Sequence, residues 1–150
     1  MKTHISGWKK TLRNPQGFTL VELAVVIVII GVLAAFGVPK FRNAVERSKA
    51  AEAFNYCDAI RSAQERYHSR EGIYSVVLNN LDIYLTTPKY FAVGTPTINS
   101  GADTWIMQLT RSGASAGYGS YTVAFNQDGF VGGSSNSNIP DVVSPLSTNS

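Results

Sequence analysis

Between Gly17 and Lys40 there is one charged side chain, Glu22, set in the stretch GFTLVELAVVIVIIGVLAAFGVPKF. An acidic group at the centre of a membrane helix costs roughly 2.5 to 3.5 kcal/mol, and less near an interface, so a carboxylate kept in such a stretch usually marks a site. Cleavage after Gly17 would create an α-amino group on Phe18, whose reference pKa of about 7.7 to 8.0 leaves it largely protonated at neutral pH. That cation and the Glu22 carboxylate would stand one helical turn apart. They could pair within a chain or between chains. The second arrangement would let a subunit entering an apolar bundle satisfy its Glu22 with a neighbour's Phe18 amine, which would set the axial register.

The elements that position these residues follow from composition. Residues 1–17 hold Lys2, Lys9, Lys10 and Arg13 and no acid, and they contain no apolar core of a secretory signal. The apolar run lies after the candidate cut, so cleavage at Gly17 would remove a basic leader and leave the membrane helix on the mature chain. The leader carries four of the thirteen basic residues, which leaves nine against ten acids. A body so close to neutrality has no electrostatic preference for nucleic acid. Phe18 to Val38 gives twenty-one residues, about 31 Å as a helix and long enough to span a bilayer. Its many Val and Ile residues do not argue for strand, because in lipid a helix satisfies every backbone group within one segment.

Pro39 lacks the N–H that would bond to the Ala35 carbonyl, so a bend or local melting is expected there. Beyond it, Phe41, Val45, Ser48, Ala51, Phe54, Cys57, Ile60, Ala63 and Tyr67 recur at helical spacing. Arg42, Arg47, Lys49, Glu52, Asp58, Arg61, Glu65 and Arg66 fill much of the opposite face, with Arg61 and Glu65 spaced to pair. One helix is expected from about Phe18 to Ser69, with Gly72 as its terminator. Residues 73–88 read as an irregular connection anchored by Ile73, Tyr74, Val76, Val77, Leu78 and Leu81. Strands are expected at Lys89–Val93, Thr104–Arg111 and Tyr118–Asn126. Trp105, Met107 and Leu109 alternate in the second, and Tyr121, Val123 and Phe125 in the third. Asn126-Gln127-Asp128-Gly129 is a turn leading into a short strand at Phe130 and Val131.

The organisation is therefore a leader over 1–17 that is removed, a membrane or filament-core helix over 18–38, and an amphipathic continuation over 39–70. A head with antiparallel strands follows over 71–131, and then a flexible Gly/Ser-rich tail over 132–150. The fold class is α+β, with the second half of the long helix laid on a small antiparallel sheet.

GFTLVE, the uncharged run after it and Pro39 together resemble the class III signal of type IV pilins and pseudopilins, over roughly residues 10 to 70. The resemblance implies cleavage between Gly17 and Phe18 by a prepilin peptidase, N-methylation of Phe18, and a helical filament of identical subunits packed by their N-terminal helices. It also implies that Glu22 and Phe18 guide subunit assembly and that Pro39 is where the helix bends. The implied function is that of a type IV pilus subunit for adhesion, motility or uptake. A pseudopilin of type II secretion is the neighbouring reading, and a membrane-anchored binding module that does not polymerise is a third.

The implied partners are the peptidase and methyltransferase, the inner-membrane assembly machinery, membrane lipid and further copies of the chain. The implied location is the bacterial inner membrane, then the cell surface for a pilus or the periplasm for a pseudopilus. Four basic residues precede the span and Lys40, Arg42, Arg47 and Lys49 follow it, so charge counting does not orient it; the cytoplasmic leader follows from the resemblance. Many type IV pilins close a C-terminal loop with a disulfide, whereas this chain has a single cysteine, Cys57, expected to be buried and inert. Asp103, Asp128 and Asp141 are too scattered to suggest calcium. No catalytic constellation, metal site or cofactor is expected.

Overall fold

The computed structural model describes residues 17–99, 101, 103–113, 117–133 and 135–146. The leader expected over 1–17 thus lies, up to residue 16, outside the described residues. The chain divides between Gly37 and Val38 into two units. The first contains the start of helix α1 (Leu20–Glu71), which is helical at every position including Pro39. From Gly17 to Phe41 every residue is exposed. That is the expected condition of a segment whose solvent is lipid or another helix rather than its own core.

In the second unit, α1 buries Ala50, Ala53, Phe54, Cys57, Ile60 and Ala63, a stripe at three- and four-residue intervals. The expected stripe began earlier, at Phe41 and Val45, and these are exposed at 70% and 37%. Glu46, on the same turn as Val45, is fully buried against Arg111 at the end of β3, so the sheet reaches this turn but covers a different face of the helix from the one that carries Phe41 and Val45. At the other end Gly72 takes φ +75° and donates its N–H to the His68 carbonyl at 2.8 Å, a left-handed stop that glycine adopts without strain.

The sheet comprises β1 (Phe91–Val93), β2 (Thr97–Ile98), β3 (Trp105–Arg111), β4 (Thr122–Asn126) and β5 (Gly129–Phe130). All pairings are antiparallel, in the order β1-β3-β4-β5, with β2 pairing the start of β3 alongside β1. Strand β2 was not legible in the sequence, because two residues are too few to show a period. Chain passage from β1 to β2 requires Gly94: its N–H bonds to the Gln108 carbonyl at 2.9 Å, and a Cβ there would stand 2.6 Å from that oxygen. The hairpin β4–β5 turns where expected. Asn126 Oδ1 accepts the N–H groups of Asp128 and Gly129 at 2.9 and 3.0 Å, which closes an Asx turn.

Trp105, Met107 and Leu109 of β3 and Val123 and Phe125 of β4 face α1 as the alternation requires, joined by Tyr121, Phe91, Tyr74 and Leu81. Phe54 meets Phe125 edge-on at 5.4 Å and Phe130 at 4.9 Å, a geometry favourable beyond its area. Cys57 is fully buried. Burial, and secondarily the Asp58 charge, push its thiol up to about 12. Alkylation at pH 8 should therefore run about a thousandfold slower on the folded chain than on the unfolded one, because the thiolate is the reactive species. The check is iodoacetamide labelling followed by mass spectrometry, with and without denaturant.

Three expectations are corrected. In the connection, Tyr74 and Leu81 bury and Leu78 half-buries around a short 3₁₀ turn (Leu78–Asn80), whereas Ile73, Val76 and Val77 stay exposed. Its entry is held by Gln64, fully buried, whose side-chain amide donates to the Ser75 carbonyl at 2.6 Å and accepts the Ser75 N–H at 2.9 Å. Arg61 lies 3.8 Å from Asp58, rather than pairing with Glu65, which instead accepts from the Tyr74 hydroxyl. Arg66 and Arg70 both reach Asp82 in the connection, at 2.8 and 3.5 Å.

The third correction concerns the tail. Over 135–146 the expected flexible segment is docked. Asn138 exchanges bonds with Thr122, donating its N–H to the Thr122 carbonyl and accepting the Thr122 N–H on Oδ1. Gln108 donates to Asn136, and Val143 enters the core fully buried. Val131 donates to the Ala124 carbonyl, and Ala124 is buried although strict alternation points it away from α1. Sparse apolar anchors suffice here because polar side chains supply the attachment.

Candidate functional site

The residues singled out by spacing lie at the start of α1. Gly17, Phe18 and Thr19 precede the helix in exposed chain outside any helix or strand, as a peptide bond must be if a protease is to reach it. Thr19 is the N-cap and Glu22 stands three residues on. Thr19 donates its N–H and its hydroxyl to Glu22 Oε2 at 2.9 and 2.8 Å, and Glu22 donates its N–H to Thr19 Oγ1 at 3.2 Å. This reciprocal set is a capping box, which satisfies two backbone donors that a helix start leaves open. The signal was present in the sequence as Thr-x-x-Glu before an apolar run.

Glu22 thus has a local task that its membrane cost alone does not reveal. That local task is compatible with the expected pairing to an α-amino group. Thr19 occupies one carboxylate oxygen, Oε2, and among the described residues no donor is assigned to Oε1. Cleavage after Gly17 would leave the capping box intact and place a cation on Phe18, beside the positive end of the helix dipole. Two like charges there are unfavourable, and a carboxylate in the first turn offsets both. N-methylation of that amine would retain its charge, so the pairing chemistry survives the modification. Helix α1 is long and apolar enough to cross a membrane, and none of the apolar window is buried.

A second constellation, in the head, was missed by the sequence reading. Glu46 is fully buried on α1 and Arg111 is 3% exposed at the end of β3. The guanidinium grips the carboxylate with both arms: Nε donates to Oε1 at 2.6 Å and Nη2 to Oε2 at 3.2 Å. Tyr121 donates to Oε1 at 3.0 Å and Lys49 to Oε2 at 3.3 Å. Arg111 also donates to the carbonyls of Tyr90 and Ser112, and lies 5.5 Å from the Tyr90 ring centroid. Burial works to raise the Glu46 carboxyl, but the bonds from Arg111 and Tyr121 and the Arg111 charge outweigh it and hold the group below the usual carboxylate range. The Tyr121 phenol is pushed up, first by burial and then by the Glu46 charge. Both groups are buried and bonded to each other, so their chemistry is that of a fastener between helix and sheet. On sequence, Glu46 reads as one more charged helix residue and Arg111 as a strand end, and nothing in their spacing of sixty-five residues connects them.

The family model described as the prokaryotic N-terminal methylation motif matches residues 12–38, a stretch that contains Gly17, Phe18 and Glu22. Among curated proteins, the chain is 44% identical to the fimbrial protein EcpC of Eikenella corrodens over 39% of each chain. It is 41% identical to the type IV major pilin protein PilA of Myxococcus xanthus over 45% of this chain and 32% of that one. It is 46% identical to the type IV major fimbrial protein FimA of Dichelobacter nodosus over 31% of this chain and 29% of that one. The chain thus aligns with two fifths or less of these relatives. No solved structure matches. The chain carries the prokaryotic N-terminal methylation motif, and its relatives across that segment are type IV pilin and fimbrial proteins.

Proposed function

We propose that this chain is a structural subunit of a type IV pilus, held in the inner membrane by residues 18–38, cleaved between Gly17 and Phe18, N-methylated on Phe18 and polymerised through α1 for adhesion, motility or uptake. The observation that carries the reading is an apolar helix start, wholly exposed, whose one carboxylate lies a turn beyond an exposed Gly17-Phe18 bond. A monomer cannot bury that surface. Lipid covers it before assembly, and neighbouring copies of α1 cover it afterwards. Glu22 then pairs with the Phe18 amine of an adjoining subunit and sets the stagger between them, while Pro39 gives the helix a place to bend as subunits pack. The partners are the processing peptidase and methyltransferase, the membrane assembly machinery, lipid and further copies of the chain. The named pilin and fimbrial relatives favour the surface pilus over a secretion pseudopilus.

Intact-mass and N-terminal mass spectrometry of the chain from its native membrane tests this directly. The expected product begins at Phe18 carrying one methyl group. A chain that still begins at Met1, or that starts elsewhere, removes the new amine on which assembly depends.

A further inference from the structure

Residues 40–49 hold four cations and one acid, and the acid, Glu46, is buried and committed to Arg111. Lys49 is committed as well, 3.3 Å from Glu46 and 5.2 Å from the Tyr90 ring. Lys40, Arg42 and Arg47 remain, and among the described residues no acid pairs with them. Arg47 is half-buried with its Nε enclosed and without a hydrogen-bond partner. The acids of the head are meanwhile largely occupied. Glu52 accepts the N–H groups of Lys89 and Tyr90, Glu65 accepts from Tyr74, and Asp82 holds Arg66 and Arg70. Among the described residues no acid is paired with Lys40, Arg42 or Arg47, which leaves them open to an anion from outside the chain.

Their position says which anion. Lys40 and Arg42 follow the last apolar residue, Val38, by two and four positions, about 3 and 6 Å along a helix. The headgroup layer on each side of a bilayer is about 5 to 7 Å deep. Arg47 starts about 13 Å out, but helical side chains lean toward the N-terminus, here toward the membrane, and a long stem can carry its head group back several ångströms. Seven residues separate Lys40 from Arg47, which puts them on one face, where they border a groove between α1 and the docked tail at Val142 and Pro145. Arg42 lies on the opposite face at about 200°. Phe41, 70% exposed between them, presents an apolar ring at the same depth. Cations on both sides of a helix, with stems long enough to reach one layer, suit a surface of many anions better than one ligand.

We propose that Lys40, Arg42 and Arg47 form, with Phe41, a collar that binds the anionic headgroups of phospholipids in the leaflet from which the head emerges. This rests on the reading of residues 18–38 as a membrane span. The collar holds the unassembled subunit at a fixed depth, and its contacts must break when the subunit leaves the bilayer.

The test is electron spin resonance on the full chain in phosphatidylcholine vesicles, using spin-labelled phosphatidylglycerol and phosphatidylcholine as probes. The ratio of their association constants should favour phosphatidylglycerol. The triple variant Lys40→Gln, Arg42→Gln, Arg47→Gln should lower that ratio at least about fivefold, the factor one basic side chain contributes near an anionic surface. High salt should do the same. The leader cations are shared by both chains, so the difference belongs to the collar. An unchanged ratio overturns the proposal, and an unchanged ratio with altered crosslinking between copies assigns the three cations to a neighbouring subunit instead. Absence of motionally restricted lipid with either probe sinks the membrane span itself.

Discussion

Glu22→Gln should leave the chain in the membrane, with its helix start intact, and abolish filaments. Glutamine serves at the third position of a capping box as glutamate does, so the contacts with Thr19 survive in kind while the charge is lost. Thr19→Val does the converse. It removes the hydroxyl of the cap at a cost of about 1 kcal/mol and leaves the carboxylate in place. If Glu22 served the helix start alone, Thr19→Val would be the more damaging change. If it pairs with the Phe18 amine of a neighbour inside an apolar bundle, Glu22→Gln strands that cation. Breaking one side of a buried pair costs about 3 to 5 kcal/mol, more than about a hundredfold in the equilibrium for adding each subunit. Sheared-fibre yield against membrane-fraction content reads the outcome, with Glu22→Ala expected to match Glu22→Gln. Wild-type fibre yield from Glu22→Gln would leave the carboxylate as a cap and nothing more.

Arg111→Met should destabilise the head by about 3 to 5 kcal/mol, because it leaves Glu46 buried without its main counter-ion. In a domain of this size that lowers the melting temperature by roughly 10 to 20 °C. The near-ultraviolet signal of buried Trp105 and Tyr121 reports the transition in the full chain. Adding Glu46→Leu to Arg111→Met should recover much of the loss, since an apolar pair of similar volume carries no desolvation cost.

The pH dependence separates this fastener from ordinary packing. Glu46 has a lowered pKa in the folded chain, so its contribution is fully present above the unfolded value near 4.5 and is lost as pH falls through the folded one. Wild type should therefore lose stability on acidification below about pH 4.5 more steeply than the Glu46→Leu, Arg111→Met double variant. Equal slopes would show that other carboxylates govern the acid limb.

The site at the helix start was legible in the sequence because its logic is local. Thr19 and Glu22 are three residues apart, and an uncharged run of bilayer length shows its apolar character without any tertiary partner. Alternation in Trp105–Leu109 and Tyr121–Phe125 likewise carries its own face, since a strand's period is independent of what covers it. Tertiary structure alone decided the rest. Glu46 and Arg111 become a pair because the sheet brings the end of β3 against the first turns of α1 in the head. The tail docks because Asn136, Ser137 and Asn138 find polar partners on the outer side of β4. Phe41 stays uncovered because the sheet packs on a different face of α1, the one that buries Glu46, Ala50 and Ala53. Periodicity reports which face of an element is apolar, but burial depends on which long-range neighbour reaches that face. A charge buried against a distant partner leaves no pattern along the chain.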